Sequence, residues 1–177
     1  MKKVIVFGLF LYMLFLGHTV VDLISEDDSV ESLIRMLKQL DFSHKERLSK
    51  YKAWFYAKEC GRRYEVSPVL IMAIIHVESS FKTKAVSSKG CKGLMQLCDH
   101  ISRKYNVNPW HPYENICGGT RYLSDLYKRF KDWDKAIISY YQGEKRTEKG
   151  QILTVSKQYL MKVKKYYYFY LEKLGRK

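Results

Sequence analysis

The chain is poor in residues that break or loosen structure. Its 177 residues include three prolines and ten glycines, too few for a Pro/Gly-rich linker or a collagen-like repeat. No motif recurs at a period of about 20 to 50 residues, which excludes solenoids and propellers. No low-complexity tract stands out beyond the terminal KKYYYFY. Runs of alternating apolar and polar residues are missing, so nothing competes for a sheet-based fold. Acids are scarce: 18 Asp and Glu stand against 32 Lys and Arg, for a net charge of +14. One further absence is local. In HVESSFKTKAVSSKGCKGLMQLC, His76 to Cys98, Glu78 is the only carboxylate.

What is present is an ordinary globular composition, 46% apolar and 28% charged, enough for one domain with a core plus a leader. Lys2 and Lys3 precede an unbroken apolar run from Val4 to Gly17, which has the charged start and apolar length of a secretory signal. Extended through HTVVDLI, the run approaches the roughly 20 residues that span a bilayer. Residues 1–21 are therefore expected to be a signal peptide or an N-terminal membrane anchor, and either implies export. Removing them takes away Lys2 and Lys3 and no acid, so +14 becomes +12. For an exported chain this charge favours wall polymers or lipid headgroups over nucleic acid.

Cys60, Cys91, Cys98 and Cys117 all follow the leader. An even count in an exported chain points to two disulfides. The competing zinc arrangement would use Cys98, His100, His111 and Cys117, but no C-x-x-C pair exists to anchor it. Spacing alone leaves all three disulfide connectivities open.

Apolar spacing predicts a mainly α fold. Residues 22–43 read as an amphipathic spacer helix, with Val30, Leu33, Ile34, Leu37 and Leu40 behind an N-cap at Ser29. A second helix from Ser43 toward Cys60 or Tyr64 sets Leu48, Tyr51, Trp54 and Phe55 on its core side. In VSPVLIMAIIHVES, Ser67 is placed to cap and Pro68 to open a helix that is apolar all round and therefore central. SSKGCKG and GLMQLC then read as an irregular loop or short hairpin. Helices are expected from Asn115, from Trp133 to a stop at Gly143, and from Ser156 to Leu174.

Glu78 ends the central helix, where desolvation and the negative end of the helix dipole both disfavour the carboxylate. A carboxyl of raised pKa is a general acid near neutral pH.

ESSF, then Ala85, Ser87, Gly90 and GLMQL, resembles the lytic transglycosylase family of the lysozyme superfamily, enzymes that cut bacterial peptidoglycan. NICGGTRYL is similar to that family's N-I-x-x-G-x-x-Y-L, SYYQG to its A-Y-N-A-G, and SKQYLMKV to its T-R-x-Y-V-x-x-V. These elements keep the family's order from about Tyr64 to Tyr166. The resemblance implies a lysozyme-like helical domain over residues 44–174. It makes Glu78 the catalytic acid and base and places Ser87, Gln96 and Tyr140 along the glycan groove. Gly90 and Gly93 would turn the backbone near the acid. It calls for no cofactor and no metal. Its partner is peptidoglycan glycan at the periplasm or cell envelope, and it admits attachment to a secretion or conjugation machine.

The same family pattern shows departures here. Tyr141 stands for Asn, Gln142 for Ala, Lys157 for Arg, Val155 for a frequent Glu, and Cys98 for a residue that is commonly Met. Small secretion-associated relatives carry cysteines on the segments of Cys60 and Cys117, which makes Cys60 to Cys117 and Cys91 to Cys98 the preferred pairing.

Two-carboxylate glycosidases hold their acids about 5 to 9.5 Å apart. The next acids in this chain are Asp99, Glu114 and Asp125, each beside a helix or loop signal that explains it. The resemblance replaces the second carboxylate with the substrate's own acetamido group. Glu78 alone then acts as acid and base, and the cleaved end closes as 1,6-anhydro-N-acetylmuramic acid. The alternatives are a goose-type lysozyme, hydrolysing the same bond with a downstream Asp, and an inactive wall-binding component of a secretion, conjugation or phage-entry machine. A third is a membrane-surface role for the basic, aromatic last helix.

Overall fold

Among the described residues, a helix forms wherever apolar residues recur at helical spacing over more than two turns. The structure, a computed structural model, describes residues 44–175, with side chains described from Ser49 onward. The expected leader (1–21) and the spacer helix with its cap at Ser29 lie outside the described residues. Of those described, residues 44–172 belong to one compact unit.

Among the described residues the elements are α1 (His44–Tyr64), α2 (Pro68–Ser79), α3 (Asp99–Tyr105), α4 (Pro112–Phe130), α5 (Trp133–Gln142), α6 (Glu144–Glu148) and α7 (Thr154–Lys173). The expected mainly α fold is observed. Between α2 and α3 runs the expected irregular segment, with isolated antiparallel bridges Val86 to Lys92 and Lys92 to Leu97.

α2 is the centre of the core. Its residues from Val69 to Ile75 are buried without a break, as the all-round apolar sequence requires. α1 packs on α2 and α4, and α4 packs on α5. α1 turns Ala53, Trp54, Ala57 and Cys60 inward, an i, i+1, i+4, i+7 face. The disulfide Cys60–Cys117, with Cα atoms 5.0 Å apart, joins this face to α4.

Several local expectations change. Phe55, expected on the core side of α1, is 41% exposed, because it lies one residue, about 100°, beyond the buried stripe through Trp54. Ser67 occupies the cap position of α2 but its side chain makes no capping bond. Its carbonyl accepts from Ile71 N instead, and Pro68 has already removed one of the amides a cap would satisfy. α4 starts at Pro112 rather than Asn115, capped by the His111 side chain. α3 and α6 were not foreseen. DHISRKY has only two large apolar residues and EKRTE has none, so neither carries a period to read.

Candidate active site

Glu78 arrives on the last turn of α2. The chain then reverses through two left-handed residues, Ser80 (φ 49°) and Phe81 (φ 65°). Ser80 ends the helix in the left-handed conformation, its amide donating to the His76 carbonyl at 3.1 Å. For a bulky residue such as Phe81 this backbone costs about 1 to 3 kcal/mol and persists only where the surroundings hold it. They do so here. The Phe81 ring is buried beneath Lys50 Nζ, 5.0 Å from its centroid, and Ser49 Oγ donates to its carbonyl at 3.2 Å.

The loop that follows is fastened at both ends. Ser87 N donates to the Cys91 carbonyl at 3.0 Å, and Ser87 Oγ accepts from Cys91 N at 3.1 Å. The disulfide Cys91–Cys98 closes the loop with Cα atoms 3.9 Å apart. Gly93 combines φ +78° with a close approach: a Cβ there would lie 2.4 Å from Asn115 Nδ2 and from the Pro109 carbonyl. No other residue fits that backbone and that gap.

Asn115, buried at 1% exposure, is the bracket between loop and helix core. Its Oδ1 accepts from Met95 N at 2.7 Å. Its Nδ2 donates to the carbonyls of Lys92 (2.9 Å) and Pro109 (2.8 Å). Tyr140 completes the fastening by donating its hydroxyl to the Met95 carbonyl at 2.8 Å. Gln96, held at φ 51°, directs Nε2 to the carbonyls of Ala85 (3.1 Å) and Gly93 (2.8 Å). Ser87, Gln96 and Tyr140 thus belong to one braced loop assembly.

Glu78 itself is bound by a residue from the far end of the chain. Tyr159 Oη donates to Glu78 Oε1 at 2.6 Å. Burial drives the Glu78 carboxyl up to about 7, partly opposed by that hydrogen bond, because the bond favours the charged form and desolvation the neutral one. The Glu78 charge in turn adds to the burial that raises the phenols of Tyr140 and Tyr159. Tyr141 stacks on Tyr159, centroids 4.6 Å apart, and Lys89 from the loop reaches over the Tyr141 ring at 5.6 Å.

The other acids weighed from the sequence have partners of their own. Asp99 pairs with Lys92 Nζ at 2.6 Å. Glu114 Oε2 accepts from Asn108 N at 2.8 Å. Asp125 Oδ2 accepts the Tyr105 hydroxyl at 2.7 Å. The zinc arrangement fails on its sulfurs, since Cys98 and Cys117 are both disulfide-bonded. His76, two residues before Glu78, stacks on Tyr166 at 3.7 Å and shares a 2.8 Å hydrogen bond with the Tyr170 hydroxyl. Burial, and then the charge of Lys50, push it down to about 4, so it is neutral at ordinary pH.

Sequence reasoning missed Tyr159 and Asn115 as site residues. Tyr159 counted only as an apolar position of the last helix, although it is the tyrosine of SKQYLMKV. Asn115 counted only as a helix start.

The family model described as Transglycosylase SLT domain matches residues 55–159. The transglycosylase of Enterobacteria phage PRD1 is 29% identical over 98 residues, 55% of this chain and 37% of that protein. The membrane-bound lytic murein transglycosylase F of Pseudoalteromonas translucida is 33% identical over 121 residues, 62% of this chain and 24% of that protein. The chain therefore spans between about a quarter and somewhat over a third of these two relatives. An inactive mutant of the lytic transglycosylase Slt from Pseudomonas aeruginosa shares the fold, with a TM-score of 0.59 at 24% identity over 68% of this chain and 24% of that one.

Proposed function

The chain belongs to the Transglycosylase SLT domain family, and we propose that it cleaves the β-1,4 bond between N-acetylmuramic acid and N-acetylglucosamine in peptidoglycan, with Glu78 as sole acid and base and residues 44–174 as the catalytic domain. The observation that carries this reading is the hydrogen-bonded Glu78–Tyr159 pair joining the central helix to the last one. A carboxyl poised near 7 has both protonation states available at neutral pH.

Tyr159 donates to Oε1, which leaves Oε2 as the oxygen that carries the transferable proton. Glu78 gives this proton to the bridging oxygen as the glycosidic bond breaks. The acetamido carbonyl of the substrate stabilises the developing positive charge at C1. Glu78, now a carboxylate, removes the proton from the same sugar's C6 hydroxyl, and O6 closes on C1 to form the 1,6-anhydro ring. The carboxyl ends protonated, as it began, and no water is consumed.

The loop residues support binding rather than proton transfer. Gln96 spends Nε2 on the loop and can offer Oε1 to a sugar donor. Ser87 accepts from the backbone and keeps its hydroxyl hydrogen to donate. Tyr140 gives its hydrogen to Met95 and contributes a wall. The leader expected over residues 1–21 and the relatives named membrane-bound both favour a cell-envelope location.

Mass spectrometry of purified peptidoglycan digested with the protein tests the proposal. Fragments ending in 1,6-anhydro-N-acetylmuramic acid, with few new reducing ends, are expected. Mainly reducing-end products would instead support a goose-type hydrolase, and no products would support a wall-binding component.

A further inference from the structure

The last turn of α5 is pinned on both sides of Tyr141. Tyr140 donates its hydroxyl to the Met95 carbonyl of the loop at 2.8 Å. Gln142 donates to Thr147 Oγ1 (3.1 Å) and to the Gln151 carbonyl (2.9 Å) and accepts from Leu153 N (3.2 Å). Gly143 closes the turn, its amide donating to the Ser139 carbonyl at 2.8 Å. The backbone of Tyr141 is thereby fixed, while its ring, 40% exposed, stands at the surface.

That ring lies against the group that holds the acid. It stacks on Tyr159 with centroids 4.6 Å apart and planes 23° from parallel, and Lys89 brings Nζ from the loop to 5.6 Å from its centroid. Beneath it Tyr159, 5% exposed, donates to Glu78 Oε1 at 2.6 Å. Contacts therefore run from the loop through Tyr141 and Tyr159 to Glu78. The phenol oxygen stands at the far tip of the Tyr159 side chain, so a small swing about χ1 carries it out of hydrogen-bond range. A ring packed against Tyr159 resists that swing. Among the described residues, the ionisable groups that interact with Glu78 are the phenols of Tyr159 on α7 and Tyr140 on α5. Tyr140 has given its hydrogen to Met95, so the orientation of the carboxyl depends on Tyr159.

We infer that Tyr141 is a positioning residue, whose ring holds the Tyr159 hydroxyl against Glu78 and so fixes the orientation of the acid. The inference rests on the reading of Glu78 as acid and base given above. The ring is a departure from the family pattern, whose Asn offers no broad face to stack. An offset pair of aromatic rings is worth a factor of about two to ten in an equilibrium, which sets the size of the effect.

The test compares kcat, KM and the pH profile of glycan cleavage for the full chain and for Tyr141→Asn, Tyr141→Leu, Tyr141→Phe, Tyr159→Phe and Tyr159→Phe/Tyr141→Asn. Tyr141→Asn should lower kcat about two- to tenfold with KM unchanged, and raise the alkaline limb by about half to one pH unit. Tyr141→Leu keeps apolar cover without a flat ring and should match it. Tyr141→Phe keeps the ring and should behave as the native chain. Where Tyr159→Phe has already removed the hydroxyl, adding Tyr141→Asn should change neither quantity further. A native kcat in Tyr141→Asn or Tyr141→Leu, a change in KM alone, a Tyr141→Phe as slow as Tyr141→Asn, or an added loss in the double variant would each overturn the inference. If no strand is cut, the function proposed above fails, and titration of the Glu78 carboxyl by carbon NMR, assigned against Glu78→Gln, still decides the inference. An upward shift in Tyr141→Asn that vanishes in the Tyr159→Phe background supports it. An unchanged or lowered titration, as water entering beside Glu78 would give, or a shift that persists without the Tyr159 hydroxyl, rejects it.

Discussion

Tyr159 and Glu78 lie 81 residues apart in the chain, yet the tyrosine hydroxyl donates to the glutamate at 2.6 Å. This contact joins the last helix to the end of the central one and opposes the burial that raises the carboxyl.

Tyr159→Phe is expected to move Glu78 further up, because it removes the group that favours the carboxylate while keeping the burial. A hydrogen bond to a charged group is worth about 1.5 to 3 kcal/mol, so the alkaline limb of the rate profile should shift upward by about one to two pH units. The maximal rate should also fall as the carboxyl loses its fixed orientation. An unshifted pH profile would show that Tyr159 merely packs.

Glu78→Gln should abolish cleavage, a loss of at least about 10⁴-fold for a residue serving as both acid and base. Asp99→Asn, Glu114→Gln and Asp125→Asn should each change the rate far less. The same Glu78→Gln variant should be more stable than the native protein at pH 8. Glu78 is raised from an ordinary 4.5 to about 7, so the native state loses nothing below about 4.5, loses stability progressively as pH rises to 7, and stays penalised above it. The gain from the amide should be roughly 3 kcal/mol at pH 8 and small at pH 4, measurable by urea unfolding at both.

Asn115→Ala should loosen the loop without melting the helices first. It removes three hydrogen bonds to Met95, Lys92 and Pro109 and leaves the Met95 amide without its partner. A cost of about 2 to 4 kcal/mol is expected, with proteolysis appearing first between Ala85 and Cys98.

The two disulfides should separate stability from activity. Cys60→Ser/Cys117→Ser opens a cross-link between residues 57 apart and should cost about 3 to 4 kcal/mol. Cys91→Ser/Cys98→Ser opens a link between residues seven apart, so thermal stability should fall less. It frees the loop that carries Ser87 and Gln96, so glycan cleavage should fall more. Parallel melting curves and digestion rates check both halves.

The sequence alone carried the helical class, the central place of α2, the role of Pro68 and the prominence of Glu78. Each of these depends on residues close together in the chain, where apolar period and helix-end chemistry are written directly. The pairing of Cys60 with Cys117 and of Cys91 with Cys98, preferred on resemblance, is also the pairing present. Phe55 and the side chain of Ser67 were misplaced because a stripe edge and a cap bond turn on angles that spacing does not record.

Other features were decided only by the tertiary structure. The raised Glu78 carboxyl was expected from its place at the end of an apolar helix, but its rise to about 7 rests on burial, a property of packing. Tyr159, Asn115 and the Met95 carbonyl matter through partners 81, 20 and 45 residues away. Contacts at that separation leave no local period, since the intervening chain must first fold to bring them together.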